Sequence, residues 1–225
     1  MPVISRLHDF LDVEAAARLK QNTSSPLNGK QIKRTVIVMG ASAGGIEVLI
    51  RIFSELPPDL GAVVAVVLHR GPIVSELRQV LAKRSVLPII EPAQTLALRK
   101  GTILLAPPDH HLHLTPRQAV IRRGPKEHST RPAIDPLFRS AADSFGSRVV
   151  GVLLSGCGDD GVTGLLTIKE NGGICVVQDP EEADMPFMPM NAIRYDHVDR
   201  SLPAKAIASV LATLTKGVTV NDESV

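Results

Sequence analysis

Three short stretches bring together side chains able to do acyl-transfer chemistry. The first is Gly40-Ala41-Ser42-Ala43-Gly44-Gly45, the second His69-Arg70-Gly71, the third Gly156-Cys157-Gly158-Asp159-Asp160-Gly161. Gly40 to Gly44 fits G-x-S-x-G, in which glycines permit a sharp turn that lifts a serine hydroxyl above a sheet. A helix starting near Gly45 would add free backbone N–H groups and the positive end of its dipole, which suits an oxyanion. An imidazole at His69 is able to take the serine proton near neutral pH. A carboxylate from the third stretch, if it reaches His69, would fix the tautomer and stabilise the imidazolium. Asp159 and Asp160 are both candidates, and spacing alone does not choose. A competing reading makes the first glycines a phosphate cradle. Against it, the G-x-G-x-x-G pattern is missing. The second stretch also opens with His69 where a ribose-binding acid would stand, although Arg70 leaves a 2′-phosphate open.

The remaining clusters are weaker. His111 and His113, within Asp109-His110-His111-Leu112-His113, would share one face of a strand. No further ligand set of known spacing accompanies them, so neither a metal nor a cofactor is expected. Arg131-Pro132 reads as turn chemistry ahead of Asp135, with substrate contact the second option for Arg131. Met185-Pro-Phe-Met-Pro-Met190 reads as core packing or an adaptable pocket wall. The two cysteines, Cys157 and Cys175, make no disulfide framework.

The elements that must position these groups alternate. Thr35–Met39, Ala62–Leu68, Val149–Ser155 and 173–178 read as strands, the second and third apolar on both faces as in a buried parallel sheet. Ile46–Leu56, Val74–Arg84, Asp135–Phe145, Val162–Asn171 and Pro203–Lys216 carry apolar residues at helical spacing or helix-boundary signals. Shorter strands are expected at Leu87–Ile90, Thr102–Ala106, His111–Thr115 and Ala119–Arg122, the last two as an antiparallel edge hairpin around Pro116-Arg117-Gln118. The predicted fold is α/β: a doubly wound, mostly parallel sheet with helices on both faces and a small antiparallel edge hairpin. All three candidate stretches then fall just after a strand, where such sheets bind ligands.

Composition bounds the rest. With 225 residues, 44% hydrophobic and 21% charged, the chain suits one globular domain with a sizeable core. The longest purely apolar run, Ala62 to Leu68, is far short of the roughly 20 residues of a membrane span. Met1 to Lys20 has acidic residues where a signal peptide would be continuously apolar, so a cytoplasmic protein is expected. A net charge of +2 and 3% aromatic residues give no footprint for nucleic acid. The expected organisation is an N-terminal helix and linker over 1–34, a catalytic domain over 35–216, and a flexible tail over 217–225.

Taken together, these residues resemble the catalytic domain of the CheB family, the bacterial chemotaxis receptor methylesterases. The matching stretches are Val36-Ile-Val-Met-Gly-Ala-Ser-Ala-Gly-Gly45, Val66-Val-Leu-His69, Leu104-Leu-Ala-Pro-Pro-Asp-His-His111, Arg131-Pro-Ala-Ile-Asp135 and Val152-Leu-Leu-Ser-Gly-Cys-Gly-Asp-Asp-Gly161. The resemblance implies hydrolysis of γ-glutamyl methyl esters on a chemoreceptor-like protein, with glutamine deamidation as a companion activity. It carries the nucleophile onto Ser42, the general base onto His69 and the triad carboxylate onto Asp160, the aspartate directly before the glycine. Backbone N–H groups around Ala43 and Cys157 are the candidate oxyanion hole, and Arg131 joins them as a substrate-binding candidate. The family's usual Thr after the serine is Ala43 here, and its usual Met between the glycines is Cys157. Only 34 residues precede the first strand, too few for the family's phosphorylatable receiver domain, so an unregulated or differently regulated esterase is expected. Two rival readings remain: a non-catalytic partner-binding module that keeps the fold, and a nucleotide-binding oxidoreductase.

Overall fold

The computed structural model describes residues 33–195 and 197–216. The N-terminal helix expected within 1–34, read over Val3–Lys20 from its helical apolar spacing, and the tail over 217–225 lie outside the described residues.

A seven-stranded, wholly parallel sheet runs β10-β9-β8-β1-β2-β5-β3. Its strands are β1 (Val36–Ala41), β2 (Val63–Leu68), β3 (Ile89–Ile90), β5 (Ile103–Leu105), β8 (Val149–Leu153), β9 (Ile174–Gln178) and β10 (Arg200–Leu202). Val and Ile dominate β1 and β2, and every residue of both is buried. That is what a strand covered on both faces requires.

Alternation along β1 splits the core in two. Ile37, Met39 and Ala41 face one apolar layer and Val36 and Val38 the other. Helices α1 (Gly45–Glu55), α2 (Leu77–Ala82) and α6 (Ala204–Lys216) cover the first face. Helices α3 (Ile134–Phe145), α4 (Val162–Glu170) and α5 (Phe187–Arg194) cover the second. In α1 the buried residues are Gly45, Val48, Leu49, Ile52 and Phe53, one stripe of a 3.6-residue period. Each fully buried aliphatic or Phe side chain contributes about 1.5–3 kcal/mol of transfer free energy, so such stripes dock the helices. Leu56 turns extended ahead of Pro57, and there α1 stops.

The hairpin forms as β6 (His111–Leu114) and β7 (Gln118–Arg122), and β4 (Leu96–Ala97) joins it. These three make a separate antiparallel sheet, β4-β7-β6, beside the main one rather than on its edge. Two more differences from the sequence reading concern helices. The second helix is shorter than Val74–Arg84 because Ile73 and Val74 are about 80% exposed and buried apolar contacts begin only at Leu77. The Met185–Met190 stretch becomes the start of α5, with Met188 and Pro189 buried despite the proline.

The order of the sheet matters for the site. From β1 the chain winds outward through β2 in one direction, while β8, β9 and β10 build the other half. The reversal falls between β1 and β8, and at such a point the loops after neighbouring strands diverge and leave room for a ligand.

Candidate active site

Strand register puts the candidate residues side by side. Ala41 pairs with Leu68, so Ser42 and His69 each come directly after a paired strand end, and the His69 amide donates to the Ala41 carbonyl at 2.9 Å. On the other side of β1 the Ser42 amide donates to the Ser155 carbonyl at 2.9 Å, just past β8. The turn at Ser42 needs glycine at two places. Gly44 has φ 76°, and a Cβ there would come within 2.6 Å of Ser155 Oγ. Across the gap, a Cβ on Gly156 would lie 2.8 Å from the Ser42 Cβ and collide with Met188 Sδ. The Ser155 hydroxyl donates to the Ala43 carbonyl at 2.8 Å and accepts from the Met185 amide at 3.0 Å, tying the elbow to the segment ahead of α5.

The two aspartates of the third stretch separate completely. Asp160 is 2% exposed, and its Oδ2 lies 2.7 Å from His69 Nε2. Asp159 is 69% exposed at its side chain and lies against His128 instead. Asp160 also accepts from the amides of Ile134 (2.8 Å) and Asp135 (2.9 Å), the first residues of α3. Burial by itself would raise the Asp160 pKa, but the hydrogen bonds from His69 and the two amides outweigh it and hold it below the ordinary carboxylate value.

Asp135 returns the favour. Its Oδ1 accepts from the amides of Gly161 (3.0 Å) and Gly164 (2.7 Å), at the start of α4. Each of two neighbouring helices therefore has its N-terminus satisfied by a carboxylate at the start of the other.

Arg131, the substrate-contact candidate, is engaged by Asp109 and Gly124. Its guanidinium binds Asp109 Oδ1 through Nε (2.9 Å) and through Nη2, and its Nη1 donates to the Gly124 carbonyl at 2.6 Å. Arg123 joins Asp109 from outside at 2.9 Å. The Asp109 carboxyl is held below its ordinary value chiefly by the Arg131 hydrogen bond. Arg131 thus clamps the loop that carries Thr130, whose Oγ1 lies 3.4 Å from His69 Nε2 and donates to the Glu127 carbonyl.

His111 has both ring nitrogens engaged by backbone: Nδ1 accepts from the Ala133 amide and Nε2 donates to the Pro125 carbonyl. His113 is lowered from its ordinary value, first by burial and then by Arg122. Among the described residues, ligand atoms of His128, Asp135 and Asp160 lie within 4.8 Å of one another. Their oxygens are already spent on His69, His128 and four amides, so the trio reads as a charge network. Cys157 is exposed and Cys175 buried, and both are free. Burial pushes the Cys175 thiol above the range in which it would ionise.

Sequence reasoning did not single out Ser155, Thr130 or His128, whereas Met188 lay in the Met185–Met190 stretch read as core packing or a pocket wall. Ser155 had a usable signal, a hydroxyl at the end of a buried strand. Thr130 and His128 had none beyond sitting just ahead of Arg131-Pro132.

Comparison with known proteins gives a consistent answer. The family model described as CheB methylesterase matches residues 37–211. A putative protein-glutamate methylesterase/protein-glutamine glutaminase of Leptospira interrogans is 36% identical over 180 residues, covering 79% of this chain and 93% of the relative. Protein-glutamate methylesterase/protein-glutamine glutaminase 2 of Anaeromyxobacter dehalogenans is 39% identical over 217 residues, 94% of this chain but 63% of that longer protein. The crystal structure of the Thermotoga maritima CheB methylesterase catalytic domain superposes with a TM-score of 0.77 at 29% identity, covering 81% of this chain and all of that one. The chain belongs to the CheB methylesterase family, whose named members are carboxylic ester hydrolases.

Proposed function

We propose that this member of the family hydrolyses γ-glutamyl methyl esters on a chemoreceptor-like protein through Ser42, His69 and Asp160, and that it deamidates glutamine at the same positions. The observation that carries the reading is the 2.7 Å contact of His69 on buried Asp160, with Ser42 at the adjoining strand end. Its relatives' names supply the substrate class.

The contacts of His69 support one order of steps. Because His69 Nε2 is spent on Asp160, the neutral ring carries its proton there and keeps Nδ1 as the lone pair. Nδ1 therefore takes the Ser42 proton as Oγ forms a bond to the ester carbonyl carbon. The ring is used the other way round from the usual serine-protease triad, in which Nδ1 faces the carboxylate.

The oxyanion is assigned to the amides of Ala43 and Cys157. The neighbouring amides of Ser42, Gly45 and Gly156 are engaged with the carbonyls of Ser155, Ser42 and Met185. Helix α1, starting at Gly45, adds its positive end to the same spot. When the tetrahedral intermediate collapses, the carbon–oxygen bond to methoxide breaks and Nδ1–H protonates it to methanol. Water, deprotonated by the same nitrogen, then attacks the acyl-Ser42 carbonyl, and its cleavage returns the serine hydroxyl and a glutamate carboxyl group. With glutamine, ammonia leaves in place of methanol.

Ala43 and Cys157 have exposed side chains at the rim, so their roles here are those of the backbone. Arg131 serves by holding the Thr130 loop against His69. A fluorophosphonate probe should label Ser42 in wild type and not in Ser42→Ala, read by peptide mass spectrometry. Absence of label at Ser42 in folded wild-type protein would count against an activated serine.

A further inference from the structure

Residues 127–130 form a tight turn closed by two backbone hydrogen bonds, Glu127 N–H to the Thr130 carbonyl (3.2 Å) and Thr130 N–H to the Glu127 carbonyl (2.8 Å). Both central residues are left-handed, His128 at φ 48° and Ser129 at φ 61°. Asn-Gly adopts such a turn at little cost, and other side chains pay for it in backbone strain. Something must therefore hold an imidazole there.

The contacts supply it. His128 Nε2 lies 2.9 Å from Asp135 Oδ2 and 4.0 Å from Asp160 Oδ1, while Nδ1 lies 3.2 Å from Asp159 Oδ1. Carboxylates stand at both ring nitrogens, and only the imidazolium has a donor to offer each. Thr130, from the same turn, touches His69. One turn thus grips the His69–Asp160 pair from two sides.

Resting on the site reading above, we propose that His128 is a positioning residue of the active site. Its charge balances the buried carboxylate pair, Asp135 and Asp160, so that His69 works against one net negative charge rather than two.

Among the described residues, the charged groups around His128 fit this assignment. Asp135 and Arg139 come from α3, Asp159 and Asp160 from the loop after β8, and Glu127 from the turn itself. Arg139 is 2.7 Å from Glu127 and 3.9 Å from Asp135, so it supplies the remaining positive charge from farther out. His69 sits behind Asp160. Burial alone would lower the His128 pKa, but Asp160, Asp135 and Asp159 together raise it. Asp135 stays above the ordinary carboxylate value through burial, despite His128 and the Gly164 amide. Two acids this close are hard to ionise together without a cation between them.

The consequence reaches the base. With an uncharged residue at 128, the full charge of both carboxylates stands behind His69 and holds a proton on its ring more firmly. The acid limb of the kcat/KM profile, which reports the free enzyme's base, should move to higher pH.

The test uses the full chain on methylated receptor membranes from pH 5 to 9. His128→Asn suits the left-handed turn and removes the charge, and His128→Gln is a second neutral variant in case the first folds poorly. Both should move the acid-limb midpoint up by about half a pH unit or more. His128→Lys, which keeps the charge, should bring it back towards wild type. A midpoint that stays put in the neutral variants, or moves equally in His128→Lys, would overturn the proposal.

Histidine NMR on Ser42→Ala protein gives a readout that does not depend on turnover. There the His128 ring should titrate above an ordinary histidine, and titration at or below that value would also overturn the charge-balancing role. If turnover survived Ser42→Ala, the site reading would fall while this titration still judged His128.

Discussion

The start of α3 and the loop ahead of α4 are near mirror images in construction. Each presents one aspartate, each aspartate is 2% exposed, and each satisfies two amides at the head of the opposite helix. Yet Asp160 is held below the ordinary carboxylate value and Asp135 above it. Burial pushes both the same way. The difference lies in what else touches them: His69 at 2.7 Å for Asp160, and for Asp135 the neighbouring Asp160 charge with His128 at 2.9 Å only partly offsetting it. Equal burial thus leaves one carboxyl held low beside His69 and the other held high at the head of α4. Hydrogen-bond partners decide which.

Substitutions at the two positions should therefore diverge. Asp160→Asn keeps the shape but takes the charge from behind His69, and kcat should fall by about a thousand- to ten-thousand-fold. A loss of tenfold or less, in a steady-state assay of folded protein, would break the contrast. Gly156→Ala tests the loop rather than the acid. Its methyl group would meet Met188 and the Ser42 Cβ, and overpacking there should cost about 1–3 kcal/mol, read as a lowered Tm with weakened turnover.

Asp135→Ala removes the cap of α4 and should destabilise by about 1–2 kcal/mol in urea titration. Its loss of kcat should be far smaller than that of Asp160→Asn. Equal losses would mean that both acids serve the chemistry.

The smallest effect is on the pH dependence of stability. A carboxyl held low, as in Asp160, stabilises the fold above the ordinary carboxylate range, and this is lost as pH falls through its folded value. A carboxyl held high has the opposite sign: the folded state takes up the proton first, so acidification through that value favours the fold. The stability advantage of wild type over Asp135→Asn should therefore shrink as pH rises through the raised Asp135 value, measured from urea midpoints at several pH values. An advantage that grows instead would contradict the assigned direction.

Much of this architecture was legible in the sequence, for identifiable reasons. Buried parallel strands write themselves as apolar runs, so β1, β2, β8 and β9 and the helices between them were found to within a few residues. Their ends then pointed to Ser42, His69 and the Gly156–Gly161 loop. Choosing between Asp159 and Asp160 needed either the family resemblance or the fold, because only three-dimensional packing turns one aspartate inward onto His69 and its neighbour out to solvent. The two-residue strand β4 was too short to show a period, and Pro189 masked α5. The His128 turn was illegible because its backbone is set by distant carboxylates rather than by an Asn-Gly signal. Arg131 was read as turn chemistry with substrate contact as the second option, and the structure pairs it with Asp109, a partner 22 positions away that spacing does not reveal.

The central claim is that Ser42, activated through His69 and Asp160, cleaves a methyl ester. The most direct test incubates the protein with receptor membranes carrying labelled methyl groups and measures volatile methanol, with Ser42→Ala in parallel. The account predicts release by wild type and a loss of several powers of ten in the variant. Release that persists undiminished in folded Ser42→Ala protein would contradict it.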